Sequence, residues 1–353
     1  MKQYFIRYSI ISCIVLLSYL VIDTLIAAGT FKNIVPHFNG EVDKINLPIA
    51  GPEDITIDQE SGIAFISVDD RRANLKSPGS VNGAILVMNL NDSSRSIRNV
   101  TPAEMIDFHP HGLSLFKNSD NRKILFVISH RIETPSHVVE RFEWRNDSLF
   151  HLETISDETL MTSPNDLAGT GERSFYVTND HYYTKGIGRV LEEYLRRSIT
   201  YVNYYDGSVF KKVADGIPYA NGIQMSTDTK TIYVASVTGR KILIYDRLND
   251  YSLKLRSEIP VSTGADNIEL DEKGNLLVGC HAQMLKFVAH ASDPAKFSPS
   301  QIIRINSKDY SVEELFLNDG KAYSGGTVAA PYGNKFLVGS VFEPSMLMLK
   351  LKD

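Results

Sequence analysis

The sequence has little cysteine and no excess of positive charge. Its two cysteines, Cys13 and Cys280, lie in segments of different character, and we expect no disulfide between them. Lys and Arg number 37 against 42 Asp and Glu, so the formal net charge is -5. Such a chain offers no basic face to a polyanion, and we expect no nucleic-acid partner. A Gly-x-Ser-x-Gly nucleophile elbow is also absent, which argues against a covalent acyl-enzyme.

The chain does contain a short repeated motif, in which a polar residue is followed by a small or polar one and then by an aliphatic one. Its first copy lies in Gly51-Pro52-Glu53-Asp54-Ile55. The later copies are His111-Gly112-Leu113, Asn165-Asp166-Leu167, Asn221-Gly222-Ile223, Asp266-Asn267-Ile268 and Gly326-Thr327-Val328. They follow at intervals of roughly 45 to 60 residues, which is typical of propeller blades.

Strand-like runs follow each copy, as in residues 62–67 and 83–88. Short runs of β-branched and aromatic residues separated by turn residues indicate strands and hairpins. Four strands in each of six units predict an all-β fold, a six-bladed β-propeller over residues 30–353. We expect one convincing helix in the propeller part, over residues 185–199, where apolar residues recur at helical spacing opposite charged ones.

The N-terminus carries Lys2 and Arg7, followed by an uncharged apolar run over residues 8–22. This pattern predicts a signal peptide or signal anchor in residues 1–29 and a protein of the secretory pathway, membrane-tethered or extracellular. Small residues at Ala27-Ala28-Gly29 are compatible with cleavage, and a buried core helix is the less favoured interpretation. Three sequons agree with export and mark candidate glycosylation sites at Asn91, Asn99 and Asn146.

The motif also predicts a metal site. In a propeller the first strand of each blade lines the central channel, so polar residues of the motif converge there. Glu53, Asn165, Asn221, Asp266 and Asn267 offer carboxylate and amide oxygens, the ligands of a hard cation, calcium above all. Isolated Asn-Gly and Asn-Asp pairs usually mark turns, but five donors in register across the repeats favour the ligand interpretation.

On these motifs the chain resembles the serum paraoxonases, a family of lactonases and arylesterases, over about residues 38–351. The segments that carry the resemblance are Gly51-Pro52-Glu53-Asp54, His109-Pro110-His111-Gly112, Pro164-Asn165-Asp166, Thr178-Asn179-Asp180-His181-Tyr182, Ala220-Asn221-Gly222-Ile223, Asp266-Asn267-Ile268, Val278-Gly279-Cys280-His281 and Gly326-Thr327-Val328-Ala329. The resemblance implies calcium-dependent hydrolysis of small lactones and aryl or carboxylic esters, with two calcium ions as cofactors.

The resemblance also assigns residues. The catalytic calcium falls on the five oxygen donors above, and a structural calcium falls on Asp54, Asp166 and the backbone carbonyl of Leu113. His111 and His130 correspond to a dyad in which the first histidine takes a proton from water and the second orients it and relays the charge. Without the resemblance, each would be a structural histidine more often than a catalytic one. Asp180 and His181 correspond to a pair that lies beside the site and influences it, and His281 is given only a wall or structural role.

Two implications concern the ends of the chain. Some relatives join an N-terminal cysteine to one near the C-terminus, but this chain has no cysteine there, so we expect early residues to complete the sheet of the last blade. Relatives keep their apolar N-terminus and use it to bind lipid. The resemblance also implies that a helix over residues 185–199 lies above the mouth of the site and contributes to the contact with lipid. A helix packed on the propeller with its charged side in water is an equal alternative.

Three alternative functions stay open. A non-catalytic, membrane-tethered paraoxonase-like protein could assist the assembly of membrane proteins. A gluconolactonase-like enzyme would share the propeller and its axial metal, yet it would not need His111 and His130 as a pair. A pure binding propeller would have no reason to gather five oxygen donors at its axis.

Overall fold

Six antiparallel sheets arranged around a channel make up most of the computed structural model, which describes residues 2–352. We number these blades one to six along the chain, and each innermost strand is the first strand of its blade in sequence. The strands are Pro52–Asp58, Ile63–Val68, Ala84–Asn89 and Ile97–Asn99 in blade one; Pro110–Lys117, Lys123–Arg131, Ser136–Arg145 and Ser148–Ile155 in blade two; Pro164–Gly169, Phe175–Asn179, Thr200–Tyr205 and Phe210–Ile217 in blade three; Ala220–Met225, Thr231–Ser236, Lys241–Arg247 and Leu253–Pro260 in blade four; Gly264–Leu270, Leu276–His281, Gln301–Ile305, Val312–Leu317 and the short His37–Phe38 in blade five; and Gly326–Tyr332, Lys335–Ser340, Ser345–Leu351 and Gly40–Asn46 in blade six. The predicted six-bladed β-propeller is confirmed.

The ring closes through strand pairing. Gly40–Asn46 pairs antiparallel with Ser345–Leu351, from Gly40 opposite Leu351 to Asn46 opposite Ser345. Residues near the N-terminus thus provide the outermost strand of blade six, as expected, and the first and last blades are fixed together without a disulfide. Within residues 2–352, Cys13 and Cys280 are unpaired; Cys280 is buried.

Each innermost strand is interrupted where the repeated motif occurs. In all six blades the pairing between the first and second strands shifts register at this point, as between Pro110 and Leu113. An extra residue in a strand bends it and re-aims its side chains. Gly112 and Gly222 allow neighbouring innermost strands to approach, since a Cβ at either would lie within 2.5 Å of a backbone oxygen of the next blade. The motif therefore encodes a repeated bulge that directs polar side chains into the channel.

The apolar core lies between adjacent blades. Between blades one and two, the ring of Phe65 meets the ring of Trp144 edge to face at 5.0 Å, and Leu125 and Phe142 are buried beside them. Equivalent clusters fill the other interfaces. Burying one such side chain contributes about 1.5–3 kcal/mol, so the summed interfaces hold the blades in fixed register around the channel.

Four helices occur in the described part of the chain: α1 (Lys2–Ala27), α2 (Arg71–Lys76), α3 (Gly186–Tyr194) and α4 (Met284–Ser292). The expected helix is α3, but it ends before residue 199, because Arg196 adopts φ 50°, a left-handed conformation typical of the residue after a helix. The expectation of one convincing helix in the propeller part was wrong. Both α2 and α4 lie in segments for which the sequence analysis predicts no helix.

The helix α1 is apolar, and most of its side chains are exposed. Its segment Tyr4–Ala27 is long and apolar enough to cross a membrane. The C-terminal end of α1 packs onto the propeller, where Met284 N donates to Ala28 O at 2.9 Å and Arg196 forms an ion pair with Asp23. The end of the apolar helix is therefore attached to the same face of the propeller as α3 and α4.

Candidate active site

A cavity of about 440 Å³ opens where the motif residues meet at one end of the channel. Its floor includes Glu53, Asn165, Asn221 and Asp266, and its walls include residues from all four helices. The helical residues that line it are Thr24 and Ala27 of α1, Arg71 of α2, Arg189, Glu193 and Tyr194 of α3, and Met284, Leu285, Phe287, Val288 and Ala291 of α4. A polar floor under an apolar wall suits a small, largely apolar ligand with one polar group.

Three buried side-chain oxygens on the cavity floor and one beside it have no hydrogen-bond partner among the described residues. They are Glu53 Oε2, Asn165 Oδ1, Asn221 Oδ1 and Asn267 Oδ1. A buried polar atom left unpaired costs about 1–3 kcal/mol, so four together indicate a ligand that the oxygens share. All four belong to the five residues that the sequence predicts as calcium ligands.

The nitrogen atoms of two of these amides are held in place. Asn267 Nδ2 donates to Glu53 Oε1 at 3.0 Å, and Asn165 Nδ2 donates to Asp180 Oδ2 at 3.2 Å. Because each amide nitrogen is bound on one side, each amide oxygen remains available to a ligand. The donor set of carboxylate and amide oxygens without sulfur fits calcium.

Asp266 is the fifth predicted ligand, and it has a partner. Its Oδ2 lies 2.8 Å from His281 Nε2, and the ring of His281 stacks on Phe287 of α4. Burial raises the pKa of Asp266, although the charge of His281 opposes the shift. Residues 2–352 contain no group of three or more His, Cys, Asp and Glu side chains arranged to hold a metal, so a cation here would depend on the asparagine amides.

The residues of the expected structural calcium lie deeper in the channel. Asp54 Oδ2 accepts from Leu113 N at 2.8 Å, and Asp166 Oδ2 accepts from Ile223 N at 2.8 Å, so each carboxylate joins its blade to the next. Burial raises the pKa of both carboxyls well above the usual range, and the charge of Asp166 adds to the shift at Asp54. Each oxygen keeps a further lone pair, and a cation between the carboxylates would relieve their repulsion.

His111 and His130 lie in contact beside the oxygen cluster. His111 Nδ1 is 2.7 Å from His130 Nε2, and His111 Nε2 is 3.4 Å from Glu53 Oε2. His111 occupies the bulge of blade two and lines the cavity, while His130 lies near the end of the second strand. Burial and the adjacent His111 lower the pKa of His130 well below its usual value, which keeps its imidazole neutral and able to accept a proton.

Asp180 and His181 connect the oxygen cluster to α3. His181 Nδ1 lies 2.7 Å from Asp180 Oδ1, and His181 Nε2 lies 2.9 Å from Glu193 Oε1. Burial alone lowers the pKa of His181, but the charge of Asp180 and the hydrogen bonds to Asp180 and Glu193 raise it to about 9. His181 is therefore protonated near neutral pH, and this buried side chain joins two partly exposed carboxylates in one ionic chain.

The sequence interpretation missed several residues at the site. Arg71 donates from Nη2 to Pro110 O at 3.3 Å. Burial acts to raise the pKa of Glu53, but His111 and, to a lesser extent, the charge of Arg71 lower it. His137 had no expected role, yet it lies 2.8 Å from His130. No sequence signal identifies Arg71 as a site residue. The position of His137, opposite His130 across one hairpin, is a signal that could have identified His137.

The three candidate glycosylation sites lie on the surface of the propeller. Asn91, Asn99 and Asn146 are all exposed. The side chain of Asn91 is engaged, because its Nδ2 donates to Ser61 O at 3.0 Å and its Oδ1 accepts from the hydroxyl of Tyr332. A glycan at this position would substitute one N–H of Nδ2, the atom that donates to Ser61 O.

Comparison with known proteins identifies the family of this chain. The sequence profile described as Arylesterase matches residues 42–348. Serum paraoxonase/arylesterase 1 of Rattus norvegicus is 36% identical over 304 residues, 84% of this chain and 85% of that protein. Serum paraoxonase/lactonase 3 of Homo sapiens is 34% identical over 308 residues, with the same coverage of 84% and 85%. A gluconolactonase from Xanthomonas campestris, at 14% identity, shares the fold with a TM-score of 0.55 over 91% of this chain and 99% of its own. The chain therefore belongs to the arylesterase family, together with the serum paraoxonases.

Proposed function

We propose that this protein is a calcium-dependent hydrolase of lactones and of aryl or carboxylic esters. The observation that carries the proposal is the group of four unpaired oxygens, Glu53 Oε2 and the Oδ1 atoms of Asn165, Asn221 and Asn267. The first three of these residues line the cavity together with His111, and Asn267 contacts Glu53. The names of the family and of its relatives, arylesterase and lactonase, support the reaction class.

The residues of the site have separate tasks. His111 takes a proton from a water molecule at Nε2, because its other ring nitrogen, Nδ1, contacts His130. His130, whose lowered pKa keeps it neutral, orients His111 and shares the charge that forms. Calcium held by the floor oxygens would place positive charge beside the substrate carbonyl and so stabilise the negative oxygen that develops on attack. Apolar wall residues such as Phe287 and Leu285 hold the substrate's hydrocarbon part and exclude water.

Two substrates of different shape test this activity. Phenyl acetate represents aryl esters, and an aliphatic δ-lactone represents lactones. We expect hydrolysis of both by the full chain with calcium, loss of both after chelation, and recovery when calcium is restored. Folded, calcium-loaded protein that hydrolyses neither substrate nor a panel of related esters would contradict the proposed function.

A second calcium ion is proposed between Asp54, Asp166 and the carbonyl of Leu113. Its support is the burial of two carboxylates whose pKa values are both raised, a charge arrangement that a cation would stabilise. This ion would have a structural role, since both carboxylates join neighbouring blades rather than line the cavity. Calcium counting by elemental analysis of the dialysed protein tests it: two ions per chain are expected, and one would contradict it.

Residues 1–29 are proposed as a retained membrane anchor and residues 30–353 as the propeller, with α3 near the lipid. Support comes from the exposed apolar surface of α1 and from the packing of Ala27 and Ala28 against the propeller. The protein would then reach the secretory pathway and remain tethered. The N-terminal sequence of the mature protein decides between anchor and signal peptide, because a chain that begins after Gly29 would exclude the anchor.

Glycosylation of Asn91, Asn99 and Asn146 is proposed from their sequons and exposure. Protein secreted from eukaryotic cells should lose mass on enzymatic deglycosylation, and peptide mapping should assign the change to these sites. An intact mass that equals the polypeptide mass would exclude it.

A second candidate function is assistance in membrane-protein assembly without catalysis. The exposed apolar helix α1 favours it, since such a helix would place the propeller next to other membrane proteins. The unpaired oxygens and the histidine contact favour hydrolysis instead, because a binding role would need neither. Substitution of His111 separates the two, since an assembly role would survive the loss of a catalytic base.

A further inference from the structure

His137 extends the histidine pair into a chain of three. His130 and His137 lie directly opposite each other on the paired strands Lys123–Arg131 and Ser136–Arg145, with their rings edge to face. Their Nδ1 atoms are 2.8 Å apart. His130 therefore contacts His111 through Nε2 and His137 through Nδ1, so both of its nitrogens are occupied by another imidazole.

The hairpin that carries these two histidines is held by a carboxylate that precedes it in the sequence, that of Asp107. Asp107 accepts backbone N–H groups of Ile132, Glu133 and Thr134 at 2.8 to 3.3 Å, which defines the loop between the strands. His137 lies just after this exposed loop, and His130 and His137 are both half-buried, whereas His111 lines the cavity. The chain of three rings thus runs from the cavity to the protein surface.

The protonation states of the three imidazoles set the direction in which a proton can move along them. A neutral imidazole has one N–H and one bare nitrogen, so a neutral His130 donates to one neighbour and accepts from the other. Burial lowers the pKa of His137, and the charge of His111 lowers it further, whereas the charge of Asp180 acts to raise it. His137 is thereby neutral near neutral pH and able to receive a proton.

We propose that His137 is the outer member of a proton relay that carries the proton from the cavity to solvent. This inference rests on the proposed function. A proton enters at His111 Nε2, the Nδ1 proton of His111 passes to His130 Nε2, and the Nδ1 proton of His130 passes to His137 Nδ1. His137 then loses its Nε2 proton to bulk water. Each ring gains one proton and releases one, so charge does not accumulate in the buried site.

The relay makes His137 a positioning and proton-transfer residue that does not touch the substrate. A purely structural role would be to pair with His130 across the hairpin. Glutamine separates these roles, because its amide can hydrogen-bond to His130 but cannot accept a proton and pass it on. Alanine separates them in a second way, because it leaves space through which a small base such as imidazole can reach His130.

The experiment compares the full-chain enzyme with His137→Gln, His137→Ala and, as a control, His37→Ala, an exposed histidine of blade five. Hydrolysis of phenyl acetate is measured in calcium at low and at high imidazole concentration. We expect kcat of both His137 variants to fall at least about tenfold at low buffer with KM unchanged, less than the roughly 10²–10⁴-fold typical of a general acid or base itself. Imidazole should restore kcat of His137→Ala, and His37→Ala should match the parent protein.

Two results would overturn the relay. One is a kcat for folded His137→Gln and His137→Ala equal to that of the parent at low buffer. The other is a kcat of folded His137→Ala that stays low when imidazole is added, since a small base that reaches His130 should replace the missing proton acceptor. Absence of hydrolysis by the parent protein would instead remove the proposed function itself.

Discussion

Asn267 of blade five and Glu53 of blade one meet across the channel, where Asn267 Nδ2 donates to Glu53 Oε1 at 3.0 Å. The contact occupies the nitrogen of the amide and one oxygen of the carboxylate. The remaining oxygens, Asn267 Oδ1 and Glu53 Oε2, are both buried and unpaired among the described residues. Two side chains from distant parts of the sequence thus orient each other, so that each leaves one oxygen unpaired, Glu53 on the cavity lining and Asn267 next to it.

Asn267→Ala removes one of these oxygens and the contact that orients the other. We expect calcium affinity to fall at least about tenfold, equivalent to about 1.4 kcal/mol, with a parallel loss of ester hydrolysis. Isothermal titration calorimetry of calcium-free protein measures the affinity. Asn334→Ala, in an exposed turn of blade six, is the matched control and should bind calcium as the parent does. Equal affinity in both variants would exclude Asn267 as a ligand.

His111→Gln keeps a hydrogen-bonding side chain but removes the proton acceptor. Loss of a general base typically lowers kcat by roughly 10²–10⁴-fold, and we expect a decrease of this size for phenyl acetate and for the lactone. Calcium affinity should not change, because the imidazole is not among the ligands. Steady-state kinetics with calorimetry on the same preparation measures both. A variant that loses calcium together with activity would show that His111 acts on the metal site instead.

Removal of calcium should destabilise the fold. Without a cation, the buried carboxyls of Asp54, Asp166 and Glu53 are left near one another in the channel. At calcium concentrations a hundredfold above Kd, binding contributes about 2.7 kcal/mol, so chelation should lower the melting temperature by roughly 4 °C. Thermal denaturation followed by circular dichroism, with and without chelator, measures the shift. An unchanged melting temperature would mean that the channel holds no tightly bound ion.

Stability should also depend on pH through His181. Its pKa in the folded protein is about 9, above the ordinary 6.5, so its charge stabilises the fold fully below pH 6.5 and the contribution is lost as pH rises through about 9. The maximum loss is roughly 3 kcal/mol. Melting temperatures at saturating calcium should decrease over this range in the parent and much less in His181→Asn. Parallel curves for the two proteins would contradict the ionic chain with Asp180 and Glu193.

Periodicity explains why the sequence identified the channel residues. A propeller brings equivalent positions of its blades to the axis, so a motif that recurs at blade spacing identifies side chains that meet in space. Glu53, Asn165, Asn221 and Asp266 line the cavity for this reason. Outer strands could be expected from composition alone, and the closing strand Gly40–Asn46 followed from the need to close the ring.

Features outside the repeat could not be predicted in the same way. Arg71 and the helix α4 belong to insertions between strands, whose path depends on packing rather than on blade spacing. The contact between His130 and His137 depends on the register of one hairpin, which Asp107 fixes from outside through the loop backbone. Where α3 ends was also missed, because the left-handed turn at Arg196 falls within an apparently helical pattern.

The most direct test of calcium-dependent hydrolysis compares two calcium titrations of the same calcium-free protein. One is followed by hydrolysis of phenyl acetate and the other by calorimetric binding. We expect half-maximal activity and half-saturation of the site containing Asn267 at the same calcium concentration, and we expect both midpoints to move together to higher calcium in Asn267→Ala. Full activity in protein shown by elemental analysis to be free of calcium would contradict calcium-dependent hydrolysis.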